Sequence, residues 1–191
     1  MEHRGKWALF LLLLFTPLHA AAVEVAGVTI PDQVSPVGLG KTLQLNGAGV
    51  RKKFFFTIYI GALYLPVRDQ SANSIIDDAG PNRVLMHFLY DEVSKKKLTG
   101  GWIDGFKANH DDRVLGPLAT RIRQFTELFT DAPKGDRVWI DYLPEKGTRV
   151  TVNGEIQGII PGADFNQALL RIWLGKEPVT DDLKRAMLGI E

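Results

Sequence analysis

An unbroken apolar stretch in the first third of the chain constrains the fold most strongly. Residues 54–65 read FFFTIYIGALYL, and the stretch stops at Pro66. It is rich in aromatic and β-branched residues, which favour strands, and it lacks the polar alternation of a strand with one wet face. It therefore predicts a strand that is buried on both faces, or nearly so.

Strand and helix signals around this stretch indicate the fold class. Further strands are predicted at 23–30, 41–46, 83–90, 138–142, 150–152 and 156–160. Helices are predicted from Ser94 through Phe106, at 116–129, at 163–174 and after Thr180 or Asp181, and a short helix or a turn at 71–79. Residues 47–51 are predicted as a glycine-rich turn, and Asn153-Gly154 as a two-residue hairpin turn. The order is not a regular alternation of strand and helix. It predicts an α+β fold in which a large antiparallel sheet carries a layer of helices.

The N-terminus has the three parts of a secretion signal. His3, Arg4 and Lys6 are basic, residues 7–15 are apolar without interruption, and residues 20–22 are three alanines. The apolar run is shorter than the ~20 residues that span a bilayer. We expect a signal peptide over residues 1–22, a single domain over residues 23–191, and a periplasmic or secreted protein with no stable membrane span after cleavage. A retained N-terminal anchor is the alternative.

Charge and cysteine content exclude several classes of function. The chain has 23 basic and 22 acidic residues, and cleavage after Ala22 would leave equal numbers of each. A neutral domain argues against nucleic acid as a partner and against a surface built to adhere to anionic lipid. Because the chain has no cysteine, thiol catalysis, cysteine zinc sites and iron–sulfur clusters are excluded.

Two other groups of residues look like sites but are better explained structurally. Residues 38–42, GLGKT, lack the first glycine of a phosphate-binding loop and precede a strand, where that motif requires a helix. His87 lies in an apolar strand and is expected to be a hydrogen-bonded core residue. His110, Asp111 and Asp112 are expected to end one helix and cap the next. We therefore expect no metal and no cofactor.

The strongest candidate site combines the glycine-rich segment with the apolar strand. Arg51 precedes the strand, and its planar guanidinium suits a carboxylate or an enolate-like oxygen. Tyr59 and Tyr64 follow, and the small residues Thr57 and Gly61 on the same strand face as Tyr59 would leave room for a ligand. The alternative is ordinary core packing, with Arg51 in a surface ion pair.

Three segments resemble the chalcone isomerase-like family. LNGAGVRKKFFFTIYIGALYL resembles its signature, GGWIDGF its ligand-side helix, and RIWLGKEPVTDDLKRAMLG its closing helices. The resemblance covers nearly all of residues 23–191. It implies an open-faced β-sandwich with a ligand cleft between sheet and helices. Some members of the family cyclise chalcones to flavanones, whereas others lack this activity and bind fatty acids.

The resemblance also assigns roles to residues. Arg51 matches the arginine that guides a phenolate in the enzymes and holds the carboxylate in the fatty-acid binders. Tyr59 stands where the enzymes carry a catalytic threonine, and a tyrosine there is similar to the fatty-acid binders. The enzymes also need a tyrosine before the long helix, where this chain has Val93, with Tyr90 nearby. Both departures speak against chalcone cyclisation.

These observations favour a non-catalytic binding protein for a fatty acid or a similar amphipathic carboxylate. Its ligand-binding residues are expected to be Arg51, Tyr59, Tyr64, Trp102 and Phe106, in a monomer. An intramolecular lyase or isomerase of the chalcone–flavanone type is the first alternative, with Tyr59 or Tyr90 transferring a proton. A module that docks another envelope protein is the second.

Overall fold

The computed structural model describes residues 22–190, which form a seven-stranded antiparallel sheet, two small two-stranded sheets and five helices. The strands are β1 (Ala22–Val25), β2 (Val28–Pro31), β3 (Gln33–Val34), β4 (Leu43–Lys53), β5 (Phe56–Leu65), β6 (Asn82–Phe88), β7 (Glu92–Val93), β8 (Ala132–Pro133), β9 (Arg137–Leu143), β10 (Gly147–Val152) and β11 (Glu155–Ile160). The helices are α1 (Ala72–Asp77), α2 (Lys95–Asn109), α3 (Asp112–Glu127), α4 (Ala163–Leu174) and α5 (Asp181–Met187).

Most of the apolar stretch forms β5, an inner strand of the large sheet, but the strand begins only at Phe56. Residues 54–56 are exposed, so the predicted burial on both faces is wrong for them. The strand order is β11-β10-β9-β6-β5-β4-β3, and every residue from Tyr59 to Leu65 is buried. One sheet face, here called the helix face, packs against the five helices through residues such as Leu63 and Met86. The other, the hairpin face, packs Ile60 and Ala62 beneath the β1–β2 hairpin. The predicted α+β fold, an antiparallel sheet with a layer of helices, is confirmed.

Local signals placed the turns and helix starts correctly in most cases. The Ser94 and Thr180 side chains accept hydrogen bonds from the backbone N–H groups of Lys97 and Leu183 and cap α2 and α5. Asn153 and Gly154 both have positive φ, as a tight hairpin between twisted strands requires. Helix α3 begins earlier than predicted, because Asp111 caps it by accepting from Val114 N.

The predicted glycine-rich turn at residues 47–51 is wrong. These residues continue β4, an eleven-residue strand, and the turn lies instead at residues 54–55. The glycines are present because α5 crosses the sheet there. A Cβ on Gly47 would overlap the Ala186 carbonyl oxygen, and one on Gly49 would overlap the Ala186 side chain. Small residues in this strand therefore allow a helix from the far end of the chain to approach the sheet closely.

The prediction that Gly61 and Thr57 leave room for a ligand is wrong. The space above Gly61 is filled by Leu183, whose side chain would lie 3.1 Å from an added Cβ, and by Met187. Thr57 does not line the cavity described below, because a register shift in the β4–β5 pairing lies between it and Tyr59.

The predicted signal peptide, residues 1–22, lies outside the described residues except for Ala22, the first residue of β1. Between residues 22 and 190, no helix has the length and apolar character needed to cross a membrane.

Candidate ligand-binding site

A cavity of about 660 Å³ lies between the helix face of the sheet and α2. This volume falls in the range typical of small-molecule sites. Its walls are apolar for the most part, and β4 to β7, α2, α4 and the segment before α5 contribute to them. The apolar lining residues include Ile58, Met86, Phe88, Val93, Leu98, Trp102, Ile172, Pro178 and Val179.

Arg51 contributes a cationic group to this cavity on the sheet side. It pairs with Tyr59 across β4 and β5, and its guanidinium carbon lies 5.5 Å from the centre of the Tyr59 ring. Its Nε atom is buried, and within residues 22–190 it has no hydrogen-bond partner. The ion pairs of these residues do not include Arg51. The surface ion pair of the alternative interpretation is therefore not formed within this range.

Tyr59 lies beneath Arg51 and is 3% exposed. Its hydroxyl oxygen accepts a hydrogen bond from Trp173 Nε1 at 3.0 Å, which leaves the hydroxyl hydrogen free to donate. Burial raises the pKa of Tyr59, against the opposing effects of the Arg51 charge and the Trp173 hydrogen bond. At neutral pH the phenol is therefore protonated, and it can donate a hydrogen bond to an acceptor but cannot act as a base.

Trp102 contributes a second free donor, from α2. Its ring packs against Phe125, with ring centres 5.2 Å apart, and against Trp173 at 5.5 Å. Its Nε1 atom is buried and, among the described residues, has no hydrogen-bond partner. An unpaired buried donor costs about 1–3 kcal/mol. Arg51 and Trp102, the residues that carry these two unpaired donors, both line the cavity.

Two of the five predicted binding residues do not line the cavity. Tyr64 lies on the hairpin face, because its even position on β5 points away from the helices. There its hydroxyl donates to the Pro31 carbonyl oxygen at 3.0 Å. Phe106 lies one turn beyond Trp102 on α2 and is 1% exposed. It packs against Phe165, with ring centres 5.8 Å apart, because Gly105 lets α2 come close to α4 at this point.

Several lining residues were not predicted from the sequence. Met86 and Phe88 lie on β6, and Phe88 pairs directly with Tyr59, so the two-residue alternation could have identified both. Trp173 does not line the cavity, but its indole N–H donates a hydrogen bond to the Tyr59 hydroxyl. It belongs to the closing-helix motif, and no role was predicted for it from the sequence. Val93 and Tyr90, the two residues noted near the position of the enzymes' tyrosine, both line the cavity.

The histidines have the structural roles expected of them. The Nδ1 atom of His87 accepts a hydrogen bond from Arg137 Nε at 3.2 Å. Burial and then the Arg137 charge lower the pKa of His87. His110 ends α2, and its Nε2–H group donates to the Ala168 carbonyl oxygen, with the two atoms 3.1 Å apart.

Comparison with known proteins agrees with this fold. The sequence profile described as chalcone isomerase-like matches residues 22–189. No curated protein gives a significant sequence match. Among solved structures, a fatty-acid binding protein of Arabidopsis thaliana is similar, with a TM-score of 0.67 and 14% sequence identity, over 88% of this chain and 96% of that one. At this identity the similarity shows the fold alone. The chain belongs to the chalcone isomerase-like family.

Proposed function

We propose that this protein binds a fatty acid or a similar amphipathic carboxylate, without catalysis, in the cavity between the sheet and α2. The observation that carries the proposal is the pair of buried, unpartnered donors in an apolar cavity, Arg51 Nε and Trp102 Nε1. A carboxylate only accepts hydrogen bonds, so it matches the two buried and unpaired polar atoms of the lining residues, both of which are donors.

The two parts of such a ligand would be held by different forces. The head group takes charge-assisted hydrogen bonds from Arg51 and a further one from the Tyr59 hydroxyl. The acyl chain lies against the apolar walls formed by β5, β6 and α2. Burial there contributes about 25 cal/mol for each Å² of apolar surface removed from water. The walls therefore supply most of the affinity, and Arg51 supplies the orientation. The similar fold of the plant fatty-acid binding protein supports this assignment.

The experiment that tests the proposal is titration of the purified protein with palmitate. Because hydrogen bonds to charged groups contribute about 1.5–3 kcal/mol, we expect Arg51→Ala to weaken binding about 10- to 100-fold. Arg51→Lys keeps the charge but loses the planar guanidinium. Its palmitate affinity is expected to lie between those of the unaltered protein and Arg51→Ala. Arg113→Ala is the matched control, because that side chain is 90% exposed at the start of α3. An absence of micromolar fatty-acid binding by the unaltered protein, together with no lipid in native mass spectra, would end the proposal.

An intramolecular isomerase is the second candidate, and one observation favours it. Tyr90 lines the same cavity as Arg51 and Tyr59, although it is offset from the position of the enzymes' tyrosine. A chalcone-cyclisation assay decides between the two functions. Turnover by the unaltered protein that is lost in Arg51→Ala would favour the isomerase over simple binding.

We further propose that residues 1–22 direct export of the protein and are then removed by cleavage. The basic, apolar and small-residue order of the N-terminus supports this. Intact mass of the protein from the cell envelope measures the cleavage directly. Retention of all 191 residues would favour an anchored chain instead. Size-exclusion chromatography of the same material tests the monomer against the second alternative, a module that docks another envelope protein.

A further inference from the structure

The turn between β4 and β5 exposes three consecutive phenylalanines, which the proposed function does not explain. Phe54, Phe55 and Phe56 are 85%, 100% and 53% exposed. Single exposed apolar residues are common on soluble domains, but a contiguous aromatic patch at a protruding tip is typical of an interaction surface. We call residues 52–56 the aromatic tip.

The backbone of the aromatic tip is strained in a way that a smaller residue would relieve. Phe54 has φ of +55°, in the left-handed region that glycine enters freely and that bulky residues rarely adopt. The turn therefore keeps a phenylalanine where glycine would stabilise it. Strain of this kind, held at an exposed position, indicates a function for the side chain.

Basic residues surround the aromatic tip. Lys52 and Lys53 precede the phenylalanines, and Lys95, Lys96 and Lys97 form the first turn of α2; all five are exposed. Lysines at a helix N-terminus oppose the helix dipole, and this turn contains no acidic residue. Their placement therefore calls for an explanation other than helix stability.

The aromatic tip and the α2 lysines meet at one mouth. Lys53, Phe54, Phe56, Lys96 and Lys97 all line the cavity that contains Arg51. Three carboxylates, those of Glu92, Asp104 and Glu177, line it as well. The lining cations are Arg51, Lys53, Lys96 and Lys97, one more than these anions. Beyond the lining, Lys52 and Lys95 add positive charge, and Asp131, which accepts a hydrogen bond from Lys95 N, adds one negative charge. The zero net charge expected for residues 23–191 is a sum over the whole domain, so it does not show this local cluster of lysines.

We propose that the aromatic tip docks on an anionic lipid surface. The phenylalanines enter the interfacial layer, the lysines contact the lipid phosphates, and the cavity mouth then faces the membrane. Aromatic residues combined with lysines match such an interface, because apolar insertion and attraction to anionic head groups act together. The proposed docking is argued from the exposed residues alone. Exchange of a fatty acid between the membrane and the cavity, in contrast, rests on the proposed function.

The absence of cysteine from the chain makes a site-specific test possible. Phe55→Cys carries an environment-sensitive fluorophore at the aromatic tip. Lys146→Cys carries the same fluorophore in the β9–β10 turn, at the opposite end of the sheet. We expect mixed vesicles, with phosphatidylcholine as the major and phosphatidylglycerol as the minor lipid, to shift the emission of position 55 to the blue. Quenchers attached to the lipid chains should reach position 55 and not position 146.

Three outcomes would overturn the docking: an unchanged spectrum at position 55, an equal response at position 146, and a blue shift that follows protein concentration without lipid. The last would show that the aromatic tip binds a second copy of the chain. An equal response at both positions would show that the membrane does not distinguish the two ends of the sheet. Pure phosphatidylcholine vesicles should give a weaker response than the mixed vesicles.

A second measurement separates docking from ligand binding. Phe55 and Lys52 do not belong to the cavity lining, so Phe55→Ser/Lys52→Glu should leave palmitate affinity in solution unchanged. We expect this variant to lower partitioning to the mixed vesicles at least about tenfold, and Lys146→Glu to lower it much less. Unaltered partitioning of the double variant refutes the docking. No palmitate binding by the parent or by any variant, with partitioning intact in the parent, refutes only the proposed function.

Discussion

The hydrogen bond between Trp173 and Tyr59 joins the helical layer to the centre of the sheet. Both side chains are almost fully buried, and the donor is 3.0 Å from the acceptor. Tyr59→Phe removes the acceptor and leaves the indole N–H without a partner. We expect a loss of about 1–3 kcal/mol in the free energy of unfolding, measured by urea denaturation. Tyr90→Phe is the control, because its ring contact with Phe56 does not need the hydroxyl. An equal loss in both variants would contradict the role assigned to the hydrogen bond.

Residue chemistry singled out Arg51, Tyr59 and Trp102, which line one cavity, but it did not give the directions of Tyr64 and Phe106. The direction of Tyr64 follows from simple alternation along β5. Tyr64 comes an odd number of positions after Tyr59, so the two rings point to opposite faces. Phe106 lies on the same apolar face of α2 as Trp102. This face extends beyond the cavity, so Phe106 does not line it. Where the cavity stops depends on how closely α2 approaches α4, and this distance is set by Ile172 against Gly105.

Helix α5 docks on a strip of glycines in β4 and β5, and this docking can be tested at the scale of the element. A Cβ at Gly49 would overlap the Ala186 side chain. We expect Gly49→Ala to destabilise the protein by about 1–3 kcal/mol through overpacking. Gly101→Ala on α2 is the matched control, because an added Cβ there meets no atom within 4 Å.

The control substitution should change stability in the opposite direction. Alanine in a helix is favoured over glycine by about 0.5–1 kcal/mol, so Gly101→Ala should raise the unfolding midpoint in the same denaturation experiment. Destabilisation by both substitutions would mean that the effect at Gly49 does not come from α5.

The elements themselves could be predicted from local signals, whereas their spacing could not. Caps at Ser94 and Thr180 and the turn at residues 153–154 are encoded in adjacent residues. Gly47 and Gly49 lie within β4 because α5, the last described helix, packs against them. This contact is distant in sequence, so the local glycine content alone predicted a turn. The short strands β7 and β8 pair across the whole of α2 and α3 and carry no local signal of their own.

At the scale of the whole molecule, the two tyrosines of β5 connect the sheet to the layers on either side. Tyr59 bonds to α4 through Trp173, and Tyr64 bonds to β2 through the Pro31 carbonyl. Burial raises the pKa of both phenols, that of Tyr64 to about 12. Ionisation of either phenol is therefore opposed by the folded state. The helices, the large sheet and the β1–β2 hairpin are therefore joined by two tyrosine hydroxyls that the folded state keeps protonated.

This arrangement predicts how stability changes at alkaline pH. The unfolded chain releases the Tyr64 proton near pH 10, whereas the folded chain keeps it until about pH 12. The unfolded state thus binds fewer protons in this window, so the free energy of unfolding falls as pH rises from 10 to 12. Tyr64→Phe should lower stability at neutral pH by about 1 kcal/mol through the lost hydrogen bond, but should show a shallower decline at alkaline pH. Urea denaturation at a series of pH values measures both effects. A decline equally steep in the parent and in Tyr64→Phe would show that other groups govern alkaline unfolding.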